Sequence, residues 1–112
     1  MRIKMSPNVA IRTNNPDAAF AFYNGVLGFP HRPDNPVHTD LDADPVNLFI
    51  IKDDAFSGPV MELFVDNLES AREELLAAGC TIIRWEGKGR DCYIRDPFGV
   101  VFNVWESHQS VD

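Results

Sequence analysis

The 112-residue sequence predicts an α+β fold in which one strand–helix–three-strand unit (βαβββ) is written twice. Three observations predict it. Two helix starts, Asn15-Pro16-Asp17 and Asp66-Asn67-Leu68-Glu69, each lead into an apolar stripe that closes on a glycine. Runs of β-branched and aromatic residues, bounded by Gly, Pro, Asn and Asp, follow each helix. The two halves also superpose: setting Asn8 over Val60 puts Ile11 over Leu63, Asn15 over Asn67 and Ala19 over Ala71. The closing glycines, Gly28 and Gly79, come out one residue out of step.

In chain order, Asn8 to Thr13 alternates and predicts the first strand. Asn15 is placed to cap the first helix, with Pro16 at its first position and Asp17 against the dipole. Ala19, Phe22, Tyr23, Val26 and Leu27 form its apolar positions. Phe29 to Pro36, rich in proline, predicts a short edge strand and a turn. Val37 to Leu41 and Val46 to Ile51 predict two more strands, joined by the acidic turn Asp42 to Pro45. In the second unit, Val60 to Val65 is a strand, and Asn67 caps a helix that buries Leu68, Ala71, Leu75 and Ala78. Strands at Cys80 to Trp85, Arg90 to Arg95 and Val100 to Trp105 complete it. The last follows a tight turn, Asp96-Pro97-Phe98-Gly99. The expected organisation is one domain over 1–112: a module at 8–52, a linker at 53–58, a second module at 59–106 and a tail at 107–112.

Composition narrows the function classes. The net charge of −7 argues against nucleic acid, whose phosphates demand basic surface, and favours cationic ligands. No apolar stretch reaches the roughly 20 residues of a membrane span, and the N-terminus lacks the apolar segment of a signal peptide. A cytoplasmic location with both cysteines, Cys80 and Cys92, reduced is the expectation.

Parity divides each sheet. Val9, Ile11 and Thr13, like Met61, Leu63 and Val65, make the apolar set expected under the helices. The opposite face collects Asn8, Ala10 and Arg12; Val60, Glu62 and Phe64; Val101, Asn103 and Trp105. Amides, charges and aromatics together mark a solvent-washed face or the lining of a concave pocket, and the aromatics favour the pocket. Asn103, a polar amide in the middle of an apolar strand, needs a hydrogen-bond partner.

The segment Ala21-Phe22-Tyr23-Asn24-Gly25-Val26-Leu27-Gly28-Phe29 resembles the "FY…vLGF" helix end of the vicinal oxygen chelate superfamily, which groups glyoxalase I, extradiol dioxygenases, and fosfomycin- and bleomycin-resistance proteins. Tyr93-Ile94-Arg95-Asp96-Pro97-Phe98-Gly99 resembles its "DPdGn" turn, and Val65-Asp66-Asn67-Leu68 resembles the entry to its second helix. The resemblance spans about residues 8 to 106 and implies paired modules forming a cupped mixed sheet. It also implies a divalent metal chelated in the cup, where the family places ligands at positions that are Asn8, Val60 and Asn103 here. The fourth position falls among Leu48, Phe49 and Ile50. Aliphatic side chains and neutral amides are poor metal ligands, so the expectation is a member with no metal and no cofactor.

The remaining candidates each have a plain reading beside the functional one. His38 shares a face with Asp40 and could orient a base or simply be an edge-strand polar pair. His31 and His108 read as exposed or tail residues. Arg12 and Glu62 either pair with one another or hold a ligand's charge. Tyr93 reads as a pocket donor or a residue at a dimer rim, and Phe64 and Trp105 as core or as a stacking platform. Asp40, Asp42, Asp44, Asp53 and Asp54 read as a solvated rim or an attractant for cations. Gly87-Lys88-Gly89-Arg90 precedes a strand and reads as a hairpin connection, not a phosphate loop. Two functions follow: a metal-independent small-molecule binding protein, or an enzyme of the lactoylglutathione lyase, isomerase or dioxygenase kind with an atypical site. A homodimer is expected in either case.

Overall fold

The computed structural model describes residues 2–33 and 39–107. They divide into two compact units, residues 7–60 and residues 2–6 with 61–107. The expected α+β class and the two βαβββ modules are both present.

The first module runs β1 (Ile3–Thr13), α1 (Pro16–Phe20), β2 (His31–Arg32), β3 (Thr39–Ala43) and β4 (Val46–Lys52). Its strands lie in the order β2-β3-β4-β1, with β1 parallel to β4 and the other pairs antiparallel. β1 begins at Ile3, five residues earlier than the expected Asn8. Pro7 lies within it without removing a β4 ladder bond, because pairing with β4 starts at Asn8↔Asn47. The acidic turn tightens to Asp44-Pro45: Asp42 and Ala43 join β3, and Asp42 Oδ1 accepts the Asp44 N–H at 3.1 Å.

Asn15 caps α1 as expected, its side chain accepting the Ala18 N–H at 3.2 Å. The helix then loosens into a π-helical turn over Ala21–Val26, where the Leu27 N–H reaches the Phe22 carbonyl at 3.0 Å. An i→i−5 register carries one extra residue per turn and rotates every later side chain around the axis. Ala19, Phe20 and Tyr23 pack on the core of Leu41, Leu48 and Ile50 with Val9 and Ile11. Phe22, Val26 and Leu27, expected to be buried, are exposed, Val26 at 71%. Gly28 follows at φ 77°, the left-handed backbone that stops the helix.

The second module runs β5 (Gly58–Val65), α2 (Leu68–Ala77), β6 (Thr81–Trp85), β7 (Cys92–Arg95) and β8 (Val101–Glu106). The order β5-β8-β7-β6, with β5 parallel to β8, repeats the first module's topology. Asn67 caps α2 through the Ser70 N–H at 2.9 Å. Glu106, at the end of β8, supplies a second anchor: Oε1 accepts the Leu68 N–H at 2.8 Å and Oε2 pairs with Lys88 at 2.6 Å. α2 covers a core of Val65, Leu68, Ala71, Cys80, Cys92, Ile94 and Val104. Each large side chain buried there stabilises by roughly 1.5–3 kcal/mol. Ala78 is exposed rather than buried, since the helix has ended before it, and Met61 is also exposed.

The final turn is built as the sequence implies. Asp96 Oδ1 accepts the N–H groups of Phe98 and Val100, both at 2.9 Å, and Gly99 takes φ 92°.

Candidate functional site

In the second module, Glu62 stands opposite Asn103, Asn103 opposite Tyr93, and Tyr93 opposite Arg84. Directly paired residues share a sheet face, so these four side chains form one row across four strands. Phe64 opposite Trp105 begins the next row. Their sequence neighbours Val65, Val104, Cys92 and Ile94 turn the other way, into the core under α2.

Asn103 is the hinge of the row. Its Nδ2 donates to Glu62 Oε2 at 3.1 Å, and its Oδ1 accepts the Cys92 backbone N–H at 3.1 Å. The Cys92 donor fixes which way the amide points, leaving the NH2 end for the carboxylate. Ser6 Oγ donates to the other oxygen, Glu62 Oε1, at 2.9 Å. Tyr93 is buried to 3% exposure, and the Arg84 guanidinium carbon stands 5.5 Å from its ring centroid, in cation–π range. Arg84 Nη1 also pairs with Asp91 Oδ2 at 3.2 Å. Phe64 and Trp105 are half-buried.

Of the residues singled out in the sequence, Glu62, Asn103, Tyr93, Phe64 and Trp105 thus share one face. Asn8, in the first module, bonds across to a second amide: its Oδ1 accepts from Asn47 Nδ2 at 3.2 Å. Arg12 is buried and pairs with Asp53 at 3.2 Å, the two side chains 6% and 7% exposed. The other Asp53 oxygen accepts the N–H groups of Ala55 and Phe56 at 2.9 and 3.0 Å, so the pair pins the loop after β4. His38 and His108 lie outside the described residues. His31 sits on edge strand β2, its ring 5.1 Å from Phe20 and nearly perpendicular to it, beside a surface cavity of about 300 Å³ that Pro16, Asp17 and Thr39 also line.

Ser6 and Arg84 escape the sequence reading, and Asp53 enters it only as one of several rim carboxylates. Arg84 is two residues after Ile82 and by parity belongs under α2. A bulge between Ile82 and Arg84 shifts the register and delivers the arginine to the Tyr93 face instead. Ser6 precedes the apparent start of the strand at Asn8.

The thiols offer no nucleophile. Burial pushes both Cys80 and Cys92 up from the ordinary thiol range, and Cys92 Sγ donates to the Gly87 carbonyl at 3.2 Å. Nor do the metal positions suit a divalent cation. Val60 is apolar and buried, Leu48 and Ile50 belong to the core, and the Asn8 and Asn103 amides are engaged with Asn47, Glu62 and Cys92. Among the described residues no three His, Cys, Asp or Glu side chains cluster as metal ligands would. No described helix is long and apolar enough to cross a membrane.

The duplicated topology agrees with comparison to known proteins. The chain belongs to the glyoxalase-like domain family, whose model matches residues 8–105, and so to the vicinal oxygen chelate superfamily. Among solved structures it is similar to a glyoxalase/bleomycin resistance protein/dioxygenase superfamily member from Vibrio splendidus 12B01, at 14% identity and TM-score 0.62, covering 94% of this chain and 99% of that one. A hypothetical protein from Bacillus halodurans C-125 is similar at 14% identity and TM-score 0.66, with 98% of each chain covered. The Mn(II)-bound glyoxalase from Novosphingobium aromaticivorans is similar at 20% identity and TM-score 0.59, over 94% of this chain and 39% of that one. At these identities the likeness is one of fold. No curated protein matches the chain.

Proposed function

We propose that this protein is a metal-independent small-molecule binding protein that takes a planar or cationic drug or metabolite on the amide–aromatic face of its second module. One observation carries the reading. At the last-strand position where relatives place a metal-binding carboxylate, Asn103 uses its amide to hold Glu62 and the Cys92 N–H. The position thus orients a neighbouring carboxylate instead of ligating a cation. Half-buried Phe64 and Trp105 supply stacking surface beside it, and the −7 charge raises the local concentration of cations. A cytoplasmic homodimer belongs to the same proposal.

A second reading is favoured by Glu62, whose carboxylate is held between Ser6 and Asn103 as a placed proton acceptor would be. On that reading the protein is a lactoylglutathione lyase-, isomerase- or dioxygenase-like enzyme with an atypical site.

A thermal-shift screen with cationic glycopeptides, hemithioacetals and catechols separates the two, run beside elemental analysis of protein purified without chelator. A Tm rise with the cationic set alone, without turnover or metal, supports binding. Near-stoichiometric Zn, Ni, Mn or Fe would falsify the metal-independent reading, and turnover of a hemithioacetal or catechol supports the enzyme.

A further inference from the structure

The surface cavity beside His31, about 300 Å³ in volume, is lined by Pro16, Asp17, Phe20, His31 and Thr39. All five belong to the first module, and none is shared with the amide–aromatic face of the second. Its place follows from the lengths of the elements around it. His31 stands opposite Leu41 in the β2–β3 ladder, and Thr39 lies two residues from Leu41 on β3. The three side chains therefore share one sheet face, the one on which Phe20 packs over the fully buried Leu41. α1 spans five residues and β2 only two, so the cover runs out at His31 and Thr39 and leaves a recess at the sheet edge. The walls are set by packing. Phe20 is anchored on the core yet only half-buried, and its ring meets that of His31 at 75° with centroids 5.1 Å apart, which makes an aromatic corner. Asp17 and His31 are exposed at the rim, above half-buried Pro16 and Thr39. Among the described residues no side-chain hydrogen bond or ion pair engages Asp17, His31 or Thr39.

We infer that this cavity is a separate small-molecule site, selective for a protonated primary amine carried on a single ring. The ammonium meets the Asp17 carboxylate, the ring lies in the corner of Phe20 and His31 against Pro16, and the Thr39 hydroxyl accepts a second N–H. The volume sits at the lower end of small-molecule pockets, roughly 300–1,000 Å³, which suits one ring and leaves no room for a large drug. The charge of the ligand follows from the lining. Asp17 is its one carboxylate and neither Lys nor Arg is present, so an anion of the same size meets only repulsion, while the net charge of −7 draws cations to the surface. The recognition is made by side chains already held in place by α1, β2 and β3, and it does not depend on what the second module binds.

The test titrates the ¹⁵N-labelled chain with benzylamine, benzyl alcohol and benzoate and follows backbone amides by NMR. Benzylamine should shift the amides of Asp17, Phe20, His31 and Thr39 and bind about fivefold more tightly than benzyl alcohol, which has its shape without its charge; that ratio is the upper range of an exposed ion pair. Benzoate should leave these amides unmoved. Asp17→Asn should bring benzylamine to the level of benzyl alcohol, and added salt should weaken benzylamine alone. His31→Ala, which opens the aromatic corner, should weaken both neutral and cationic probes alike, and it locates the site if Asp17→Asn does not fold. Benzyl alcohol binding as tightly as benzylamine, or Asp17→Asn leaving benzylamine unaffected, overturns the inference. Shifts confined to Glu62, Asn103 and their neighbours overturn it while supporting the small-molecule reading of the second module. Unmoved amides with every probe at millimolar concentration overturn it as well.

Discussion

Asn103 and Glu62 sit side by side on parallel strands, joined by an amide-to-carboxylate hydrogen bond of 3.1 Å. Because Asn103 also accepts the Cys92 N–H, the bond ties three strands, β5, β8 and β7, through one side chain. Replacing Asn103 by alanine leaves both the carboxylate and the backbone donor short of a partner, at a cost of about 1–3 kcal/mol. Urea unfolding of Asn103→Ala, Glu62→Gln and the double variant should give a coupling of about 0.5–3 kcal/mol. Strict additivity would show that the bond contributes nothing.

Arg12 and Asp53 make the second strong prediction. Removing one partner of a buried ion pair leaves an uncompensated charge, so Arg12→Leu should cost about 3–5 kcal/mol. Substituting both with apolar residues should cost less than Arg12→Leu alone. Replacing Asp53 would still leave the Ala55 and Phe56 N–H groups without this acceptor. Equal Tm values for the single variant and the wild type would remove the pair from the stability argument.

The thiols predict a pH effect. A thiol whose folded pKa is raised stays protonated when the unfolded one ionises, so the unfolded state gains stability as pH climbs past the ordinary thiol value of about 8.5. Conformational stability should therefore fall from that pH upward, and less steeply in Cys92→Ala and Cys80→Ala, which carry one raised thiol fewer. In the native state at neutral pH both thiols should react with Ellman's reagent only at the rate of opening. Immediate modification of both would contradict their burial.

The π-helical turn is tested at Val26. In an unbroken α-helix a charge there would strike the core, whereas at 71% exposure Val26→Asp should change stability by no more than about 0.5 kcal/mol. A loss of several kcal/mol would restore the α register. The same variant, examined by sedimentation, asks whether the proposed homodimer uses this exposed side chain.

Gly99, at φ 92°, ends the Asp96 turn. Gly99→Ala should lower stability by about 1 kcal/mol or more through backbone strain alone, because no atom lies within 4 Å of the added Cβ. An unchanged Tm would mean that the turn relaxes to a right-handed backbone.

What the sequence by itself determined is what short-range chemistry decides. Asn15 and Asn67 cap their helices, Gly28 and Gly79 adopt positive φ after them, and Asp96-Pro97-Phe98-Gly99 folds as a turn. Each of these depends on side chains and backbone within a few residues, as does the parity that put Glu62, Phe64, Asn103 and Trp105 on one face. The duplicated module was legible for the same reason, since the local signals occur twice in the same order. Tertiary structure decided which groups meet. Arg12 closes on Asp53 of its own module, 41 residues away, and Asn103 reaches Glu62 over the same separation. Arg84 changes faces because β6 bulges to keep its ladder with β7, and a bulge depends on the partner strand rather than on local composition. The π-helical turn likewise leaves Phe22, Val26 and Leu27 exposed, which no periodicity in the sequence announces.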